Sequence, residues 1–299
     1  MQAGAALQVA ALEVAHTAGT VADALSPTAR DALRDWSARV RANREQAERV
    51  REGAPPGDFY APVASAFQAD PRRTGEPALD VLRPLVRPGE TWLDIGAGGG
   101  RYALPIALVA GQVIAVEPSE GMRGVLRAGL EQHEIANVEI VPSRWPMEAP
   151  PAADVALIAH LGYDVEDIGP FLDAMEAAAR RRCVAVLATP SPPYPAEPFW
   201  PPVHGEARVR LPALTEFLVL LLARGRLFDV HVVEREPLTH AAPDGPLGWL
   251  QQQLFVGPDT AKGRKLAALA REVITERAGR WALSWDPVSL GIVSWPPPR

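Results

Sequence analysis

From Thr91 onward, apolar runs of four to eight residues alternate with stretches whose apolar positions recur every three or four residues. The runs are TWLDI (91–95), QVIAVEP (112–118), VEIVP (138–142), DVALIAHL (154–161) and CVAVLATP (183–190). Between them, RYALPIALVA (101–110), GMRGVLRAGLEQH (121–133) and IGPFLDAMEAAARR (168–181) carry helical spacing. Strands that stay apolar along their length belong in a parallel sheet covered on both faces. LPALTEFLVLLLARG (211–225) reads as a buried helix. LFDVHVVERE (227–236) and PVSLGIVSW (287–295) supply a sixth and a seventh strand. The expectation is an α/β fold: a seven-stranded, mostly parallel sheet with helices on both faces.

Two segments break this rhythm. TPSPPYPAEPFWPPVHG (189–205) is too rich in proline for a helix or a central strand and is expected to form a long ordered loop, a candidate lid. Residues 237–284 form an insertion before the last strand, with helices expected around Leu247–Phe255 and Thr260–Arg277. Ahead of the sheet, residues 4–25 are alanine-rich and helical in pattern. Ser26 at the N-cap and Pro27 at the first helical position start a second helix, which runs to about Glu52 and is ended by GAPPG. Leu33, Trp36, Val40, Ala47 and Val50 share one face of it, a stripe suited to docking on its own domain. Asn43 completes a short heptad-like seam, so a homodimer through these helices is the alternative. The chain thus divides into an N-terminal helical extension (1–53) and a main domain (54–299).

Charge and cysteine content narrow the class. The formal net charge is −6, with a pI near 5.6. A nucleic-acid partner would ask for a basic face, so none is expected. Cys183 is the single cysteine, which leaves no intrachain disulfide and suits a reducing cytoplasm. No stretch reaches the length of a membrane span. The first twenty residues lack a basic start and contain Glu13, so they read poorly as a signal peptide. His16, His133, His231 and His240 have no metal-ligand spacing, and no metal is expected.

The candidate chemistry begins at TWLDIGAGGGRY (91–102). Glycines at a strand-to-helix turn leave backbone N–H groups free and let a ligand approach without a Cβ in the way. The dinucleotide fingerprint fits this turn poorly. Counted from Gly96, its third glycine falls on Arg101 and the register fails; counted from Gly98, it falls on Ala103, which the looser form of the fingerprint accepts, so that register survives as a weak match. The spacing that fits without allowance is D-x-G-x-G-x-G: Asp94, Gly96, Gly98 and Gly100. A carboxylate at this turn repels a pyrophosphate and suits a cation. Glu117 ends the second strand, where an acid accepts hydrogen bonds from two ribose hydroxyls.

With LDIGAGGG, VIAVEPSEGM and DVALIAHLGY in place, the chain resembles the class I, Rossmann-like S-adenosylmethionine-dependent methyltransferases, closely over about residues 75–190 and more loosely to the last strand pair. The resemblance implies S-adenosyl-L-methionine as cofactor and a small or medium-sized methyl acceptor. It also implies a binding set of Asp94, Gly96, Ala97, Gly98, Glu117, Pro118 and Met122. Gly96 and Gly98 would lie under the methionine part, Asp94 near the ammonium, Glu117 on the ribose and Met122 near the adenine. After the third strand the family often carries an acid for the adenine amino group; here Ser143, Arg144 and Trp145 stand instead and join the cofactor-binding set, Ser143 able to hydrogen-bond and Trp145 to shape the adenine pocket. The fourth strand ends in AHLGYD rather than the N/D-P-P-Y/F motif of methyltransferases acting on bases or glutamine side chains. His160 is the candidate general base and a further cofactor neighbour, with Tyr163 beside it. Tyr60 and His204 are candidates to close over the acceptor. The competing readings are an NAD(P)-dependent oxidoreductase and a non-catalytic binding or assembly module on the same fold.

Overall fold

The structure, a computed structural model, describes residues 28–53, Ala64 and residues 67–298. The helix expected over 4–25, the Ser26–Pro27 start and Tyr60 lie outside the described residues. The first described helix, α1 (Ala29–Val50), is capped by Thr28, two residues past the expected start. Thr28 and Asp31 form a reciprocal capping box that satisfies free N–H groups at the helix start. Trp36, Val40, Ala47 and Val50 are buried along it, as the stripe predicts. The Trp36 indole N–H donates to the Val165 carbonyl at 2.9 Å, and Ser37 donates to that of Glu166 at 2.8 Å. Asn43 donates to the Val209 carbonyl, so the seam it completes is engaged within the chain.

Next come α2 (Pro77–Leu82), β1 (Thr91–Ile95), α3 (Ala103–Ala107), β2 (Gln112–Val116), α4 (Glu120–Gln132), β3 (Val138–Val141), β4 (Ala153–Ala159), α5 (Ile168–Ala178) and β5 (Ala179–Thr189). The remaining elements are α6 (Trp200–His204), α7 (Leu214–Ala223), β6 (Asp229–Arg235), α8 (Gly245–Leu254), α9 (Ala261–Val273), β7 (Thr275–Arg277), β8 (Arg280–Ala282) and β9 (Val288–Trp295). The main sheet has seven strands in the order β3-β2-β1-β4-β5-β9-β6. The first five are mutually parallel, and β9 runs antiparallel to both β5 and β6. In β1, β4 and β5 successive residues are buried, and successive side chains point to opposite faces, so both faces are covered. Strand order reverses between β1 and β4, which opens a crevice at their carboxyl ends.

Three expectations are corrected. The helical spacing through Arg181 stops at Ala178, and residues 179–182 join β5. There Arg181 meets Glu90 at 2.7 Å and Arg182 donates to Ser294 at 2.8 Å, so tertiary partners override helix propensity. The proline-rich stretch is not all loop: a 3₁₀ segment spans Tyr194–Phe199 and α6 follows. Prolines are placed at the start of each short helix, where the missing N–H would be unpaired anyway. The helix expected to reach Arg277 ends at Val273, and the chain turns into the β7–β8 hairpin. Phe199, Trp200 and Val203 from the proline-rich stretch pack with Leu250, Leu254 and Leu266 of the insertion in a second, smaller core. The candidate lid is thereby tied to the insertion.

Candidate active site

The glycine turn lies at the carboxyl end of β1, in the crevice. Gly96 and Ala97 donate their backbone N–H groups to the Val116 carbonyl at 2.8 and 3.2 Å, which folds the turn over the end of β2. Gly98 donates to one carboxylate oxygen of Glu117 at 2.8 Å, and Ser119 N–H to the other at 2.8 Å. Glu117 is thus held rigidly beside the turn, buried to 6% exposure. Gly98 has φ +56°, and a Cβ there would meet nothing within 4 Å; the turn is open on that side. Gly96 has φ +73°, and a Cβ there would come within 2.7 Å of the Leu161 side chain. Leu161, from the end of β4, therefore lies against the turn, a contact that strand patterning did not reveal.

Asp94 is 2% exposed, and among the described residues no cationic side chain pairs with it. Burial raises its pKa and the Glu117 charge raises it further, to about 7, against a smaller opposing pull from the Ala103 backbone N–H. A buried carboxylate of this kind has unmet demand for a positive charge. Met122 is buried one turn into α4, its N–H taken by the Ser119 hydroxyl, which caps that helix. Pro118 is exposed at the rim, and Ala97 is buried inside the turn.

The stretch after β3 divides. Ser143 is partly exposed and its hydroxyl donates to the Arg144 carbonyl, while Arg144 is exposed. Trp145 packs against the main core and its indole N–H donates to the Phe171 carbonyl at 3.2 Å, anchoring it to α5. Its ring is a wall of the fold as much as a candidate adenine neighbour.

His160 directly follows β4 and has φ +55°, an uncommon conformation for a non-glycine residue. Its N–H is fixed to the Val186 carbonyl at 2.8 Å, and its Nε2 lies 3.1 Å from the Tyr102 hydroxyl at the start of α3. Glycine turn and β4 are thereby linked through a His–Tyr pair. Burial, then the nearby Arg235 and Arg101 charges, lower the His160 pKa to about 3. At neutral pH the ring is uncharged and a weak base. We expect its imidazole NMR signals to show no titration between pH 5 and 9; an inflection near pH 6–7 would restore a general-base role. Tyr163 is buried, and its hydroxyl accepts the Ala188 N–H at 2.6 Å, joining the ends of β4 and β5. Burial pushes its pKa well up. His204 lies against the insertion. Its ring contacts Trp200, and its nitrogens lie 3.0 Å from the Leu254 carbonyl and 3.4 Å from the Lys262 ammonium.

Two neighbours escaped the sequence reading. Tyr102 follows the glycines directly and is 4% exposed, with its pKa raised by burial to about 12. Arg235 ends β6 and extends the positive field onto His160, Tyr102 and Tyr163. Its signal was a charge sharing a strand face with Val233, which packs on the core. Among the described residues no cluster of His, Cys, Asp and Glu suited to a metal occurs, and no helix is long and apolar enough to cross a membrane.

No family model matches the chain, and no curated protein matches its sequence. Solved structures do. The YcgJ protein of Bacillus subtilis aligns over 74% of this chain and 98% of its own, at 16% identity and a TM-score of 0.52. A protein of Bacillus halodurans C-125 described as a candidate methyltransferase aligns over the same shares, at 15% identity and a TM-score of 0.52. What the chain shares with them is its fold, the Rossmann-like seven-stranded architecture of the class I methyltransferases.

Proposed function

We propose that the chain is an S-adenosylmethionine-dependent methyltransferase acting on a small molecule. The observation that carries this reading is Asp94: a buried carboxylate without a cationic partner among the described residues, behind an open glycine turn and beside the fixed carboxylate of Glu117. This donor set fits a ligand with a cationic amino-acid end and a ribose. It fits a dinucleotide poorly, because a pyrophosphate at the turn would meet Asp94. When bound, S-adenosylmethionine supplies an electrophilic methyl group on a sulfonium, open to in-line attack by an acceptor nucleophile.

The chain's own part is placement. The open side of Gly98 admits the ligand backbone, Asp94 offers the negative charge, and the two lone-pair-bearing oxygens of Glu117 face the ribose position with their geometry already set. Leu161, His160 and Tyr102 line the side toward the acceptor, and aligning donor and acceptor while excluding water supplies most of what such a displacement needs. His160 then serves as a neutral hydrogen-bonding partner of Tyr102, not as a base. The test is calorimetric titration of the full chain with S-adenosylmethionine, S-adenosylhomocysteine, NAD and NADP. Micromolar binding of the first two alone is the expected result; binding of a nicotinamide cofactor in their place would overturn the reading.

A further inference from the structure

A cavity of about 150 Å³ lies beyond the ends of β5 and β6, between the proline-rich stretch and the insertion. Its walls are mostly apolar: prolines 192, 193 and 195 with Tyr194 on one side, Leu238, Trp249, Leu283 and Val288 on the others. One cationic side chain lines it, Arg235. Among the described residues no carboxylate, carbonyl or hydroxyl pairs with this guanidinium, and its Nε is buried without a hydrogen-bond partner. Arg123, Arg181 and Arg224 also have a buried Nε without a hydrogen-bond partner, but each is paired elsewhere on its guanidinium, with Glu120, Glu90 and Glu176 respectively, and Arg101 is paired with Glu76 at 2.9 Å. A buried, unsatisfied N–H on a charged group is strongly unfavourable unless something in the functional complex supplies the acceptor. The same guanidinium acts electrostatically on His160, Tyr102 and Tyr163 on one side and on Tyr194 of the cavity on the other. The register agrees: Arg235 pairs with Val288 of β9, the next residue of that strand, Ser289, pairs with Thr189 at the carboxyl end of β5, and so Arg235 lines the cavity at the same end of the sheet as the crevice.

We propose that this cavity is the acceptor subsite and that Arg235 binds a carboxylate carried by a single-ring acceptor, the ring lying among Trp249, Tyr194, Leu238 and the prolines. The two Nη groups of Arg235, which have no partner among the described residues, offer a carboxylate two parallel hydrogen bonds, a fit that a neutral group does not reproduce. The volume matches one six-membered ring, since an apolar cavity of about 150 Å³ holds benzene. The proposal rests on the methyltransferase reading for the word acceptor, but the ligand chemistry stands on the cavity alone.

The test is a binding measurement on the full chain, with and without S-adenosylhomocysteine. Benzoate, 2- and 4-hydroxybenzoate and 2-aminobenzoate are titrated against their own amides. At least one acid should bind ten-fold or more tightly than its amide in the native chain. Arg235→Gln should reduce that ratio below three-fold while leaving S-adenosylhomocysteine affinity unchanged, and Arg235→Lys should restore part of it. No acid exceeding its amide by three-fold in the native chain would overturn the proposal, and this comparison decides even if Arg235→Gln does not fold. Acid preference without S-adenosylhomocysteine binding would sustain the subsite and sink the methyltransferase reading. S-adenosylhomocysteine binding without acid preference would do the reverse.

Discussion

Asp94→Asn is expected to make the chain more stable at pH 8 and to weaken S-adenosylhomocysteine binding about 100-fold. The reason is that the carboxylate is buried and has no cationic partner among the described residues. Its pKa rises from an ordinary 3.8 to about 7 in the fold, from burial first and the Glu117 charge second. The sign follows directly. Between about pH 4 and pH 7 the folded chain keeps a proton that the unfolded chain releases, so stability falls as pH rises through that window and stays lowered above it. Asparagine removes the ionisation. The gain at pH 8 should be about 1–3 kcal/mol, smaller than the full linkage because the amide must still be hydrogen-bonded in the same place. It should vanish as the pH approaches 4. Affinity for S-adenosylhomocysteine should fall about 100-fold, the range found when one member of a buried charge pair is removed. In the native chain that affinity should climb from pH 6 as Asp94 ionises, then decline above about pH 8 as the ligand's α-amino group loses its proton. Thermal melts at pH 5 and pH 8, paired with calorimetry, measure both effects. Native-like affinity in Asp94→Asn would remove the ammonium from this end of the crevice.

The largest loss of stability is expected at Glu176, far from the site. Its side chain lies on α5 at 3% exposure and accepts hydrogen bonds from Arg226 at 2.8 Å, Arg224 at 3.1 Å and the Trp295 indole at 3.0 Å. Three regions distant in sequence converge there: α5, the turn after α7, and the end of β9. Burial pushes the Glu176 pKa up, but the Arg226 and Trp295 hydrogen bonds and the two arginine charges together hold it below the usual value. Glu176→Ala would leave two guanidinium groups and an indole N–H facing an apolar hole. We expect a loss of about 3–5 kcal/mol and a fall in melting temperature of about 6–15 °C. Glu176→Gln, which keeps the shape and part of the hydrogen bonding, should lose less. The stabilisation from this carboxylate is present above pH 4.5 and should drain away as the pH falls toward the lowered value in the fold. A melting temperature for Glu176→Ala within 2 °C of the native chain would show that the cluster contributes nothing net.

These two residues mark how legible the chain was. Asp94 was visible because its chemistry is local: a carboxylate two positions before a glycine turn is odd wherever it occurs, and Glu117 at the next strand end completes the pattern. The strands were visible for a related reason. A parallel strand buried on both faces must be apolar along its whole length, and five such runs in alternation with helices admit few folds. Glu176 was invisible, because an acid at helical spacing in DAMEAAARR reads as a solvent-facing charge. Its arginine partners lie 48 and 50 positions later, and its indole partner 119 later.

The sequence by itself determined the sheet, the glycine turn and the two carboxylates that face it, since each depends on neighbours within a few residues and on the period of the backbone. Tertiary structure alone decided three things. Packing against the insertion turned His204 toward Leu254 and the proline-rich stretch into short helices. Burial beside two arginines took His160 out of the range of a working base. The meeting of β6 with the cavity beyond β5 left Arg235 without a partner among the described residues. Each of these depends on a dielectric environment or on a partner brought in by the fold, and neither is written in local spacing.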